Sequence, residues 1–268
     1  MLRNKLGSKQ EVENSIVGLN GTIKGGNFTT GVVGGAYIAT HSENALVTFP
    51  KEVIPVATGT IELWARLIDV PNDIPEGESP NLFKFQDSHG NNFAILFAPN
   101  DGEGNGGLTA RAGHYFTAGT GWYGYWTYQT ALKGGDVTEW HHYALVWNKD
   151  GIAGIADGTK KVAIFLDGQL NSTRWHVGAP GEFSPLVGGA LGRLDQNGHF
   201  DQGSAAFDNL KIWNYAKTDF SDRFVEGLTD VEGKANIVIA KEAIPDSPRN
   251  FHYYGAWGDF YLDDPGED

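Results

Sequence analysis

Three stretches decide the fold: WHHYALVWN at 140–148, KKVAIFLDGQL at 160–170, and LGRLDQNGHFDQGSAAFDNLKIWNYAKTDFSDRF at 191–224. Each carries a short run of β-branched and aromatic residues, the composition that fits a pleated, half-buried surface. Asp-Gly and Asn-Gly pairs punctuate them, at Asp167-Gly168 and Asn197-Gly198. Such pairs reach the positive φ angles that tight hairpins require. The stretch therefore predicts antiparallel strands joined by hairpin turns. A short helix follows, with Phe220, Phe224 and Leu228 at i, i+4 and i+8 on one face and Thr218 as its cap.

Outward from this stretch the same pattern continues. Ala45 to Phe49 and Gly59 to Leu67 read as strands. In the second, Ile61, Leu63, Ala65 and Leu67 share one face while Glu62, Trp64 and Arg66 share the other. Runs at 81–86 and 92–98 form a strand pair, 108–116 is a further strand, and GTGWYGYWTYQT at 119–130 is an aromatic hairpin. The segments 70–80 and 99–107 are acidic, Pro- or Gly-rich loops. No fixed-period repeat runs through the chain.

Composition agrees. The 268 residues include 37 Gly, a load suited to many turns, and 40% are hydrophobic, ample for a packed core. Cysteine is absent, which excludes thiol catalysis and cysteine-ligated zinc. A formal net charge of -13 argues against nucleic acid and against anionic lipid surfaces, both of which select basic footprints. No segment is long and apolar enough to span a membrane, so no membrane insertion is expected, and the first residues lack a signal-peptide core.

The order of these strands resembles the concanavalin A-like, laminin-G-like jelly-roll family. The matching features are a WHHvAlvw strand, a strand ending in vDG, and a closing strand here written AAFDNLKIWN. The resemblance runs over about 14–227 and is most specific over 140–214. It implies an all-β fold: a two-sheet antiparallel jelly-roll sandwich, concanavalin A-like, with one short C-terminal helix. The expected organisation is a flexible N-terminal segment at 1–13, a laminin-G-like domain at 14–230, and a C-terminal extension at 231–268. That extension is read as a return strand near 237–240 followed by the aromatic, acidic tail HYYGAWGDFYLDDPGED.

Two groups of residues are candidates for ligands. Trp122, Tyr123, Tyr125 and Trp126 lie within five positions, and aromatic rings stack on the apolar faces of sugars. Arg111 and His114 on the preceding strand supply hydrogen-bond donors for hydroxyls or a carboxylate. By the two-residue period, Trp122, Trp126 and Tyr128 share one face and Tyr123 and Tyr125 the other, so one set is expected to pack into the core. For calcium, the resemblance implies a structural ion at Asp208. Asp195, Asn197 and Asp201 place oxygens around a Gly in a partial calcium-loop pattern that lacks a terminal Glu. His141 and His142 are adjacent on a strand, hence on opposite faces, and are not expected to hold one ion together.

Signatures of catalysis are missing. There is no ExDxxE strand of jelly-roll glucanases, no RxELRE or QIH strand of alginate lyases, and no GxSxG, HExxH or P-loop. The expected function is a non-catalytic carbohydrate-binding or adhesion module of a surface, secreted or virion protein, taking a glycan or polysaccharide. A protein partner for the C-terminal tail is a further expectation. Two alternatives stand beside the binding module. One is a polysaccharide-active hydrolase or lyase with an unrecognised site. The other is a structural interaction module such as a phage-tail or surface-layer component.

Overall fold

A computed structural model describes residues 1–40, 45–68, 81–87, 92–99, 108–118, 121–128, 138–174, 186–192, 204–225, 228–229, 235–236, 252–255 and 258–261. Its strands, in chain order, begin with β1 (Leu2–Asn4), β2 (Thr22–Lys24), β3 (Asn27–Thr30), β4 (Gly35–Ala39) and β5 (Leu46–Phe49). Next come β6 (Thr58–Leu67), β7 (Asn81–Asp87), β8 (Asn92–Pro99), β9 (Leu108–Ala118) and β10 (Gly121–Tyr128). The sandwich is completed by β11 (His141–Asn148), β12 (Val162–Leu166), β13 (Gln169–Arg174), β14 (Leu186–Gly192) and β15 (Ala205–Trp213).

These strands form two antiparallel sheets. The first has the order β13-β12-β11-β6-β15-β4-β3, with β1 also paired to β15; the second has the order β10-β9-β8-β7-β14-β5-β2. The strands expected at 59–67, 81–86, 92–98 and 108–116 are all present. At the β12–β13 hairpin, Asp167 and Gly168 take φ 51° and 82°, the left-handed pair that the Asp-Gly signal predicts.

The core lies between the sheets. From the first sheet come Ile61, Leu63, Ala65 and Leu67 of β6, Tyr143, Leu145 and Trp147 of β11, and Phe207, Leu210 and Ile212 of β15. From the second come Val47 and Phe49 of β5 and Leu191 of β14. The alternation read from TIELWARL thus holds on its apolar side.

Its polar side departs from expectation. Glu62 and Trp64 are buried too, because the chain after β15 returns across the outer face of the first sheet. This strap, residues 214–225, is fastened at several points. The Thr60 hydroxyl donates to Tyr215 O and accepts from the Lys217 amide, both at 2.9 Å. Trp64 Nε1 donates to Arg223 O at 3.0 Å. Phe220 enters a second apolar cluster with Ala144, Val146, Ile152, Ile155, Ala163 and Phe165.

The strap also corrects the helix expected over 218–228. Residues 218–220 are irregular and 221–224 turn, closed by Arg223 N–H to Phe220 O (3.1 Å) and Val225 N–H to Asp222 O (2.9 Å). Asp219 Oδ1 accepts from the Ser221 amide at 2.9 Å, an Asx turn that competes with helix. Phe220 and Phe224 do both meet the sheet, with ring centroids 4.9 Å from Phe165 and 5.0 Å from Trp64. The spacing that suggested a helical face is satisfied by turns lying flat on strands.

The N-terminal residues are a second correction. Rather than a loose segment at 1–13, Leu2–Asn4 adds a strand to β15, and Leu2 and Leu6 are wholly buried. Asn4 Nδ2 donates to Val12 O and Ser15 Oγ, both at 2.9 Å. A one-turn helix, α1 (Lys9–Val12), follows, with Ser8 Oγ accepting from the Glu11 amide at 3.2 Å. Ser8-x-x-Glu11 is the sequence form of a capping box, and it was legible.

Beyond the sandwich, β16 (Leu228–Thr229) pairs with β17 (Ala235–Asn236), and β18 (His252–Gly255) pairs with β19 (Gly258–Tyr261). The return strand expected at 237–240 lies outside the described residues.

Candidate functional site

The strand register assigns the aromatic hairpin to faces. Val47 and Leu191, both buried in the core, are direct partners across β5 and β14. Leu191 opposes Phe83, Phe83 opposes Ile95, Ile95 opposes Ala112, and Ala112 opposes Thr127. Direct cross-strand partners share a face. The core face of the second sheet therefore runs through position 127 of β10, and alternation adds 123 and 125. His114, opposite Tyr125, lies on that same face, and β10 comes against β12 and β13 of the first sheet.

Positions 122, 126 and 128 fall on the outer face. Arg111 opposes Tyr128, Gly113 opposes Trp126, Tyr115 opposes Gly124, and Thr117 opposes Trp122. The six residues singled out from the sequence thus divide: positions 122, 126 and 111 share the outer face, with 111 beside 126 and far from 122, while positions 123, 125 and 114 are on the core side.

The outer face also gathers residues that sequence reading passed over. Tyr115 opposes Asn92, which opposes Gln86; Gly113 opposes Ala94, which opposes Lys84. Tyr115, opposite Gly124, takes a register position between positions 122 and 126, which lie about 13 Å apart along β10. Nothing local in the sequence marks Lys84, Gln86 or Asn92 as neighbours of the hairpin; only the pairing order β10-β9-β8-β7 does.

A different chemistry occupies the outer face of the first sheet. Glu62 Oε1 accepts from Trp213 Nε1 and from Lys217 Nζ (2.8 Å), and Oε2 accepts from His142 Nε2–H (2.9 Å). Lys217 Nζ also reaches Asp222 Oδ1 at 2.6 Å. Burial alone raises the Glu62 carboxyl, but the ammoniums of Lys211 and Lys217 and the His142 bond outweigh it and hold it well below the usual range. Burial lowers the His142 imidazole despite its bond to Glu62, so it sits neutral. For Lys217, burial is outweighed by Glu62 and Asp222, and its pKa rises. This network binds the strap to the sheet through Glu62, which accepts from three donors, while His142 Nδ1 is buried without a partner.

The two histidines take opposite faces, as their adjacency requires. His142 faces Glu62 under the strap, while His141 Nδ1–H donates to Asp167 Oδ2 at 2.7 Å. Asp167 Oδ1 accepts from the His142 amide at 2.9 Å. Although burial raises it, these bonds lower the Asp167 carboxyl. The pair fastens the start of β11 to the β12–β13 turn.

Asp208 joins the closing strand to the N-terminal loops. Its Oδ2 accepts from the amides of Val32 and Val33, both at 2.8 Å. A Cβ at Gly31 would stand 2.5 Å from that oxygen, so the turn admits only glycine beside the clamp. Among the described residues no group of three or more His, Asp or Glu side chains assembles as a metal's ligands would. Asp195, Asn197 and Asp201, the other expected calcium ligands, lie outside the described residues, as does the Asp101-Glu103-Asn105 loop.

Comparison with solved structures places this architecture. Domain 4 of AbnA, a GH43 extracellular arabinanase from Geobacillus stearothermophilus in complex with arabinotriose, superposes with a TM-score of 0.51 at 16% identity, over 80% of this chain and 93% of that one. The botulinum neurotoxin serotype D/C VPI 5993 binding domain gives a TM-score of 0.53 at 10% identity, over 81% of this chain. A botulinum neurotoxin type C structure, described by a cell entry dependent on two ganglioside molecules, gives 0.53 at 9% identity, again over 81% of this chain. This chain spans about half the length of the toxin chains, 49% and 48%. Identities this low speak to the fold alone. No curated protein matches the chain in sequence. The family profile described as the concanavalin A-like lectin/glucanases superfamily, Laminin_G_3, matches residues 41–220, two thirds of the chain, and the protein belongs to that family.

Proposed function

We propose that this domain is a non-catalytic glycan-binding module whose ligand lies on the outer face of the seven-stranded sheet. One observation carries the reading: the register gathers Trp122, Trp126 and Tyr115 with Arg111, Asn92 and Gln86 on a single face. Stacking rings interleaved with amide and guanidinium groups is the donor set a saccharide needs, since sugars present apolar ring faces and hydroxyl edges together. Two structures of similar fold support it by what their descriptions name, arabinotriose for the arabinanase domain and ganglioside for the type C toxin. An extracellular or surface setting follows from the same role. The helices among the described residues give no membrane span.

The test is a glycan array followed by titration of the best ligand against wild type, Trp122→Ala and Trp126→Ala. Each substitution is expected to weaken binding by about tenfold or more, equivalent to roughly 1.4 kcal/mol. Unchanged affinity in both variants, or no glycan bound by wild type, would remove the proposal and turn attention to a protein-interaction role.

A further inference from the structure

The charges on that face are one-sided. Over the strands β2, β5, β7, β8, β9, β10 and β14, the outer positions in register carry Lys24, Lys84 and Arg111 and no Asp or Glu. The whole chain holds 33 acidic against 20 basic residues, so a face without a carboxylate stands apart from its surroundings. The placement of the cations relative to the rings is also specific. A row runs across four strands from Trp126 through Gly113 and Ala94 to Lys84, spanning about 14 Å at ordinary strand spacing. Arg111 lies two residues along β9 from Gly113, beside that row. Between positions 126 and 84 the row holds only a glycine and an alanine.

Resting on the binding-face reading above, we infer that the ligand is an acidic polysaccharide, a chain of uronate residues whose carboxylates meet Arg111 and Lys84 while a sugar ring stacks on Trp126. A carboxylate-bearing ligand brings each cation a counter-charge that a neutral glycan lacks. A planar guanidinium matches a carboxylate in a two-bond fork, and an ammonium adds a second point of charge. An otherwise acidic chain would repel a polyanion, so the positive strip also fixes which surface the polymer approaches.

The experiment measures binding of polygalacturonate and of alginate by calorimetry, beside the same polymers with carboxyls reduced to neutral alcohols. At least one polyuronate is expected to bind, with about tenfold or greater loss on carboxyl reduction and progressive weakening between low and physiological salt. Arg111→Gln and Lys84→Gln are expected to weaken polyuronate binding and flatten its salt dependence; Trp126→Ala weakens native and reduced polymer alike. Reducing the ligand tests the charge without touching the protein, so a poorly folded variant leaves the result intact. Equal affinity for native and reduced polymer overturns the acidic assignment while leaving the glycan module standing. So does binding confined to neutral or sulfated glycans. Failure to bind any polysaccharide overturns both.

Discussion

The two sheets of the sandwich treat their outer faces in opposite ways. On the first, the strap at 214–225 covers β6 and β11, and His142, Trp213 and Lys217 all donate to Glu62 beneath it. On the second, the outer positions of β7 to β10 collect rings, amides and cations without a carboxylate among them. Polar residues on a sheet face are thus no guide to function in themselves. What separates structure from recognition is whether the neighbouring strands supply their complements. Glu62 has three donors; the described strand positions in register around Arg111 and Lys84 hold no acid.

Breaking the closed face is expected to have the largest effect. Glu62→Ala leaves Lys217, His142 and Trp213 without their shared acceptor, and loss of one partner from a buried ion pair costs about 3–5 kcal/mol. Denaturant melts would show it, while the remaining folded protein should still bind glycan. Binding lost in proportion to a change at the second sheet would mean the two faces are coupled.

Next comes a pair of neighbours on one strand. Tyr125→Ala, at a position that register gives to the core face, is expected to lower stability by about 3 kcal/mol, as truncating a core aromatic does. Trp126→Ala, on the outer side, is expected to act on affinity. If thermal melts show Trp126→Ala as the more destabilising of the two, the register-based division of faces fails.

A smaller effect is expected from pH. The folded His142 imidazole titrates below its ordinary value, so the unfolded chain binds the proton first. Stability is full above the ordinary imidazole pKa and falls as pH drops below it, no more steeply than about 1.4 kcal/mol per pH unit for one proton. Glu62 and Asp167, also lowered, add losses only in the carboxylate range. Melting temperature measured from pH 8 to pH 5 should decline in the lower half of that window. A flat profile would show that His142 does not govern the strap.

The smallest expected effect is that of chelation. Asp208 Oδ2 is held by two amides, and no second carboxylate joins it in a metal-like group among the described residues. Chelation tests the calcium expected at Asp208: a drop of several degrees in melting temperature that calcium reverses would assign a cation there, and an unchanged melting temperature would leave the two amides as its partners.

Much of the fold was legible because its signals are local. Alternation in TIELWARL, the WHHYALVWN strand and the Asp167-Gly168 turn each act within a few residues. The strap was not, since Phe220 and Phe224 carry the same spacing whether they belong to a helix or to turns pressed on a sheet. Nor was β1 read as a strand, because its partner Ile212 is remote and three residues give no period. At the candidate site the hairpin rings were visible at once, but their faces depend on register carried through β9, β8, β7 and β14 to the buried Val47. Lys84 entered the site only by that route.

The pairing of Leu2 with Ile212 sets the order in which this domain is able to assemble during synthesis. A strand made some two hundred residues earlier must wait for its place, since β15 has to emerge before β1 has an edge to join. Contacts so distant in sequence make for slow closure. Until then Leu2 and Leu6, wholly buried in the finished molecule, travel uncovered on the nascent chain. That stretch is where a chaperone would find a handle, and where a break in the β1–β15 pairing would unseat the sheet it closes.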